Sequence, residues 1–230
     1  MVDSKASRVD RMFSSIAGRY DFANTVLSFH RDSYWRSFTV SQTGVGPGAL
    51  VLDVGTGTGK LVSDVVRARG AHGIGVDLCE DMLQKARGNA ANGTAGFVLS
   101  RAECLPFADG VFDCVISGFT LRNVSDLEKT LQEMTRVVKV GGRVVCLEFT
   151  PPARSPLGIG YRMYMATVIP PLGWLLSGRR SPYTYLPRSI KEFKRPDELK
   201  QMMEDAGLTD VQMSLLTLKM VAVHVGTKPA

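Results

Sequence analysis

A doubly wound α/β sheet, mostly parallel and with helices on both faces, is the fold this sequence predicts. Three observations predict it. Short apolar strands alternate with helical patterns from about residue 49 to 148. The first strand runs into a glycine-rich turn, Val51-Leu-Asp-Val-Gly-Thr-Gly-Thr-Gly59, and a helix-compatible run starts at Lys60. About twenty residues on, a second strand ends in an acid, Gly73-Ile-Gly-Val-Asp77.

In chain order, residues 1–45 form a helical lid, because Val9, Met12, Phe13, Ile16 and Tyr20 recur every three or four positions. Gly44-Val-Gly-Pro-Gly48 then breaks the chain. Residues 46–150 are the cofactor-binding core. Strands are expected near 49–54, 72–76, 96–99, 112–116 and 142–148, and helices near 60–69, 80–91 and 126–139. Short strand-to-helix connections of this kind close into an open Rossmann-like sheet. Residues 151–195 are an insertion facing substrate and membrane. Leu157 to Leu176 is apolar, but Arg162 and the pair Pro170-Pro171 interrupt it, so two short helical pieces forming a pocket wall are expected rather than a span. Residues 196–230 read as helix, strand, strand, with Gly207 ending the helix. The sheet then has about seven strands, with an antiparallel strand at the C-terminal end.

The chain has 230 residues, enough for one well-buried domain. No apolar stretch follows Met1, so no secretory signal and a cytoplasmic location are expected. Cys79, Cys104, Cys114 and Cys146 are scattered, which points to buried free thiols and no metal site. The net charge is +6, and it is concentrated. Residues 151–195 hold Arg154, Arg162, Arg179, Arg180, Arg188, Lys191, Lys194 and Arg195 against one acid, Glu192. That segment is also rich in Tyr, Met, Trp and Leu. The mixture suits peripheral attachment to an anionic membrane surface at its inner face better than it suits nucleic acid. A homodimer interface is the competing reading of the same face.

The glycines at 55, 57 and 59 are spaced G-x-G-x-G, which fits poorly to the dinucleotide fingerprint and disfavours a nicotinamide oxidoreductase. With Asp53 before them and Thr58 inside, they resemble the first motif of class I S-adenosylmethionine-dependent methyltransferases. In that resemblance Gly55 and Gly57 admit the methionine part, Thr58 hydrogen-bonds it, and Asp77 accepts from the ribose hydroxyls. Thr56, Leu78, Met82, Arg101, Ala102, Glu103 and Gly118 complete the expected cofactor set. Ala102-Glu-Cys-Leu-Pro-Phe107 follows the third strand, where the adenine edge would be read. Glu103 is either a ligand contact or a loop acid.

Further blocks narrow the resemblance. Phe13-Ser-Ser-Ile-Ala-Gly-Arg-Tyr-Asp21, Leu121-Arg-Asn-Val124, Leu147-Glu-Phe149 and Tyr183-Thr-Tyr-Leu-Pro187 resemble the UbiE/MenG family of quinone-biosynthesis carbon methyltransferases, nearly end to end. Departures from its pattern fall at His30, Asp32, Arg101, Gly118-Phe119-Thr120 and Lys219. The resemblance implies methylation of the ring of a prenylated quinol. Arg122, Asn123 and Tyr20 are then the catalytic candidates, with Arg122 stabilising oxyanion charge or positioning a water. Tyr183, Tyr185, Phe29 and Arg188 are the candidate acceptor contacts. A methyltransferase for another small-molecule or lipid acceptor, or an inactive assembly subunit on the same fold, remain the alternatives at this point. His30 and His224 read better as surface and packing residues than as bases.

Overall fold

A computed structural model describes residues 5–90, 95–153 and 155–230. Arg154, counted above in the basic segment, and position 91, at the end of an expected helix, lie outside the described residues.

Seven strands form one sheet: β1 Leu50–Val54, β2 His72–Asp77, β3 Ala95–Leu99, β4 Phe112–Gly118, β5 Val138–Phe149, β6 Thr209–Leu216 and β7 Val221–Thr227. Their order is β3-β2-β1-β4-β5-β7-β6. The first five run parallel, and β7 pairs antiparallel with both β5 and β6. The chain starts in the middle of the sheet and winds outward in both directions. The point of reversal lies between β1 and β4, whose carboxyl ends open a crevice.

Alternation along the strands builds both faces of the core. In β1, Val51 joins Leu61, Val65 and Ile116 on one side, beneath α3 (Arg31–Gln42) and α4 (Lys60–Arg69), while Leu52 and Val54 join Leu131 and Met134 of α6 (Leu127–Val137) on the other. A register shift between Phe112 and Cys114 lets Phe112 share that second side with Val115. α5 (Glu80–Asn89) and α10 (Pro196–Asp205) complete the layers. Ends are capped locally. The Asp126 side chain accepts from Lys129 N at 2.9 Å at the start of α6, and Gly70 ends α4 at φ 65°.

Two further helices precede α3, α1 (Lys5–Ser14) and α2 (Tyr20–Leu27). Three follow β5: α7 (Pro156–Thr167), α8 (Ile169–Ser177) and α9 (Ser181–Glu192). Pro170 and Pro171 stand in the first turn of α8, where a missing N–H costs nothing, so the expected break becomes a joint at Val168. Leu157 to Leu176 is two helices, as expected, and α9, which carries Pro187 internally, follows them. Ala23, Leu27, Tyr161, Met165, Ile169, Tyr183 and Ile190 bind α2, α7, α8 and α9 into a separate apolar cluster. No helix among the described residues is long and apolar enough to cross a membrane. Cys79, Cys114 and Cys146 are buried as expected, but Cys104 is exposed because it sits in the open loop after β3.

Candidate functional site

A cavity of about 490 Å³ opens over the carboxyl ends of β1, β2 and β4, roofed by α1 and α2 and walled by α7 and α9. The glycine-rich turn makes its floor. Gly55, Gly57 and Gly59 adopt φ of 72°, 55° and 77°, a region where side chains are strained. A Cβ at Gly57 would meet open space, whereas one at Gly55 would lie 2.1 Å from Thr120 Cγ2. The loop is fixed from below. Gly55 N and Thr56 N both donate to Val76 O, and Asp53 accepts from Thr56 Oγ1 at 2.8 Å.

Asp77 ends β2 at the cavity edge. Its carboxylate accepts from Gly57 N at 2.8 Å and Cys79 N at 2.9 Å, one bond per oxygen. Each oxygen keeps acceptor capacity toward the cavity. Burial raises the Asp77 ionisation despite these backbone donors. Leu78, Met82, Arg101, Ala102, Glu103 and Gly118 also line the cavity.

Asp53 and Arg188 lie outside the cavity lining, while Thr58 and Glu103 line it but are bonded within the protein. Asp53 is buried beneath the turn, does not line the cavity, and is pushed up to about 7 by burial, so it is a support for Thr56 rather than a contact. The Thr58 hydroxyl donates to Asp21 Oδ1 at 2.8 Å and so ties α2 to the turn at the cavity lining; Lys60 adds an ion pair to the same acid at 3.5 Å. One oxygen of Glu103 is engaged by Ser125 N at 2.8 Å, ahead of α6, which fits the loop-acid reading. Arg188 projects away from the cavity and pairs with Glu192 at 2.9 Å on the exposed side of α9.

The loop leaving β4 carries the most polar part of the wall. Arg122 is buried and pairs with Glu148 of β5 at 2.6 Å. Its guanidinium also donates to Phe119 O and stacks 5.5 Å from the Phe149 ring centroid. Glu148 accepts from Arg122 N and Phe149 N as well, and burial raises its ionisation. Asn123 donates to Phe119 O at 3.2 Å and accepts from the Tyr185 hydroxyl at 3.1 Å. Tyr20 enters from α2, its ring edge-on to Phe13 at 5.7 Å, and burial raises its ionisation. Tyr183 is buried because Gly173 leaves room for its ring; a Cβ there would lie 2.1 Å from Tyr183 Cγ. Phe29 stands exposed at the rim, 5.8 Å from the Tyr164 ring. Arg122, Asn123, Tyr20, Tyr183, Tyr185 and Phe29 thus share one cavity.

Sequence reasoning gave no role to Glu148, Trp35 or Tyr161. A lone acid inside the apolar strand Val144–Phe149 was the available signal for Glu148, since a buried charge demands a partner. Trp35 Nε1 donates to Thr217 Oγ1 at 2.6 Å across 182 positions, a contact no local pattern announces. His30 and Lys219 have φ of 61° and 67°, the left-handed conformation that favours glycine. His224 packs with Nε2 on Pro196 O at 2.8 Å. No cluster of metal-ligating side chains occurs among the described residues.

The chain matches the ubiE/COQ5 methyltransferase family over residues 1–228. A demethylmenaquinone methyltransferase of Thermus thermophilus is 44% identical over 221 residues, covering 95% of this chain and all of that protein. A ubiquinone/menaquinone biosynthesis C-methyltransferase UbiE of an Enterobacter species is 40% identical over 97% of this chain and 92% of its own length. Among solved structures, the methyltransferase complexed with the Haloferax volcanii Trm112 activator aligns with TM-score 0.66 at 20% identity, over 95% of this chain and 98% of that one. The [4+2]-cyclase SpnF aligns with TM-score 0.70 at 14% identity, over 99% and 97%. At such identities the structural likeness shows the fold alone, and the cyclase illustrates how far chemistry varies upon it.

Proposed function

Because the chain belongs to the ubiE/COQ5 methyltransferase family and is a methyltransferase, we propose that it methylates a ring carbon of a prenylated quinol, demethylmenaquinol in the first instance. S-adenosylmethionine is the proposed donor; it supplies a methyl on a sulfonium, whose sulfur leaves as a neutral thioether while the ring hydrogen departs as a proton. Asp77 would hold the ribose hydroxyls with its remaining acceptor positions, and the bare backbone at Gly57 would admit the methionine part. Tyr20 and Asp21 would close α2 over it.

The observation that carries the acceptor reading is the buried Arg122–Glu148 pair in the cavity wall. A ring carbon becomes nucleophilic when the neighbouring oxygen takes phenolate character. A fixed cation in a water-poor wall favours that charge and needs no reorganisation. Arginine is a poor proton acceptor, so Arg122 holds charge, and the proton leaves through water. Asn123, fixed by Tyr185, orients the same region.

Membrane attachment is part of the proposal. α7 and α8 expose Ile159, Met163, Trp174 and Leu175, and Phe29 stands at the cavity rim. Arg8, Arg11, Arg179 and Arg180 gather in a recess around Trp174, and the Arg180 guanidinium stacks 4.7 Å from that ring. Apolar side chains ringed by arginine suit an anionic lipid surface from which a prenyl tail enters the cavity.

The test is transfer of labelled methyl from S-adenosylmethionine to chemically reduced demethylmenaquinol in anionic vesicles. Labelled menaquinol is expected, and the Trp174→Ala protein should sediment less with those vesicles. Unlabelled quinol under reducing conditions would refute the acceptor reading; equal sedimentation with zwitterionic vesicles, or Trp174-dependent dimers, would refute the membrane reading.

A further inference from the structure

Most polar side chains lining the cavity are already spent within the protein. Thr56 bonds Asp53, Thr58 bonds Asp21, Thr120 bonds Gly55 O at 3.0 Å, and Tyr164 bonds Leu27 O at 2.7 Å. Tyr185 and Asn123 bond each other. Among the described residues, three buried atoms on the lining have no hydrogen-bond partner: the hydroxyls of Tyr161 and Tyr183 and Arg122 Nε.

The two tyrosines differ in what surrounds them. The Tyr183 hydroxyl interacts with Ser177 of α8, on the helix against which its ring packs. The Tyr161 hydroxyl is under the influence of the Arg122 and Glu148 charges. Tyr161 is 7% exposed and sits among Leu27, Met165 and Ile169, none of which offers a side-chain partner. Burying a hydroxyl without a partner is destabilising. A phenylalanine would fill the same place at no such cost. The hydroxyl is therefore best explained by a partner that arrives with the ligand.

Building on the acceptor reading above, we infer that Tyr161 is a further catalytic residue: its hydroxyl and Arg122 Nε form a donor pair for the acceptor oxygen that takes phenolate character next to the methylated carbon. Two donors from different segments, α7 and the loop after β4, then converge on one oxygen. Burial drives Tyr161 ionisation far up, so the hydroxyl keeps its proton and serves as donor. The pair also sets specificity. An acceptor without an oxygen at that place leaves both donors unpaired in a dry wall and is rejected. None of the hydrogen bonds that fix the cofactor floor comes from Tyr161, so the two functions separate experimentally.

The experiment is Tyr161→Phe in the full-length protein, which keeps the ring and its packing. Four readouts are taken together: kcat and KM with reduced demethylmenaquinol, the pH dependence of kcat, S-adenosylhomocysteine affinity by calorimetry, and the melting temperature. Loss of one oxyanion donor lowers kcat by about 10²-fold. The rising limb of the pH profile should move to higher pH, because the acceptor hydroxyl ionises less readily without the donor. Affinity for S-adenosylhomocysteine should stay unchanged. A kcat within about twofold of the parent protein, an unmoved pH profile, or a loss that tracks the melting temperature would overturn the inference. A parent protein that methylates no quinol in the same assay would instead overturn the acceptor reading, and the inference with it.

Discussion

The floor and the far wall of the cavity are built on opposite plans. The floor, made by the turn after β1 and the end of β2, ties its cavity-facing polar groups within the protein: Thr56 on Asp53, Thr58 on Asp21, and Asp77 under two backbone N–H groups, with Asp53 Oδ1 left unpartnered among the described residues beneath the turn. It recognises by shape, bare backbone and the spare acceptor positions of one carboxylate. The wall, made by the loop after β4 and the helices after β5, holds a buried ion pair, stacked rings and donors without partners. A finished surface suits a ligand that must simply be held. An unfinished one suits a ligand whose charge changes during reaction.

The most severe way to break the wall is Arg122→Ala. It strands Glu148 in a strand where that side chain is 1% exposed. Removing one member of a buried pair costs about 3–5 kcal/mol, so urea unfolding should shift by that amount and methyl transfer should be lost. Adding Glu148→Gln should return much of the stability and none of the activity. If the double variant regains activity, the ion pair is scaffolding only.

The floor is probed through Asp53. Its folded-state ionisation near 7 stands well above the ordinary aspartate value of 3.8. The unfolded chain therefore loses that proton first as pH rises. Stability from this group falls between about pH 4 and pH 7, by up to about 1.4 kcal/mol per unit, and is flat above. Asp53→Asn should flatten that slope in denaturation curves taken across the window. An unchanged slope would mean another group carries it.

How much of each region was legible follows from the same contrast. The floor is local: β1, the glycine turn and β2 are contiguous in sequence, and α4 occupies the expected residues 60–69 as Lys60–Arg69. Even there, Asp53 looks like a ligand contact in sequence and lies beneath the turn, off the cavity lining, because a pattern shows which residues are near a loop and not which way they turn. The wall is assembled from distant segments. Arg122 meets Glu148 across 26 positions and Tyr185 meets Asn123 across 62. Tyr161 lies in a helix with a weak apolar pattern, and Arg188, one turn beyond Tyr185, pairs with Glu192 outside the cavity. A pattern does not announce that pairing, and Pro187 inside the segment hid the helix.

A smaller effect concerns the turn between β6 and β7, whose Thr217 borders the cavity. Thr217, Leu218 and Lys219 all hold positive φ in the turn between β6 and β7. Lys219→Gly should raise stability by about 1 kcal/mol, read as a higher melting temperature, with methyl transfer unchanged. A drop would show that the Lys219 side chain contributes a contact of its own.

The division between floor and wall is tested most directly by calorimetric titration of S-adenosylhomocysteine into two variants, Asp77→Ala and Arg122→Lys. The account predicts that the first loses saturable binding while the second binds as the parent protein does and yet fails to methylate the quinol. Full binding by Asp77→Ala, or lost binding by a folded Arg122→Lys, would contradict it.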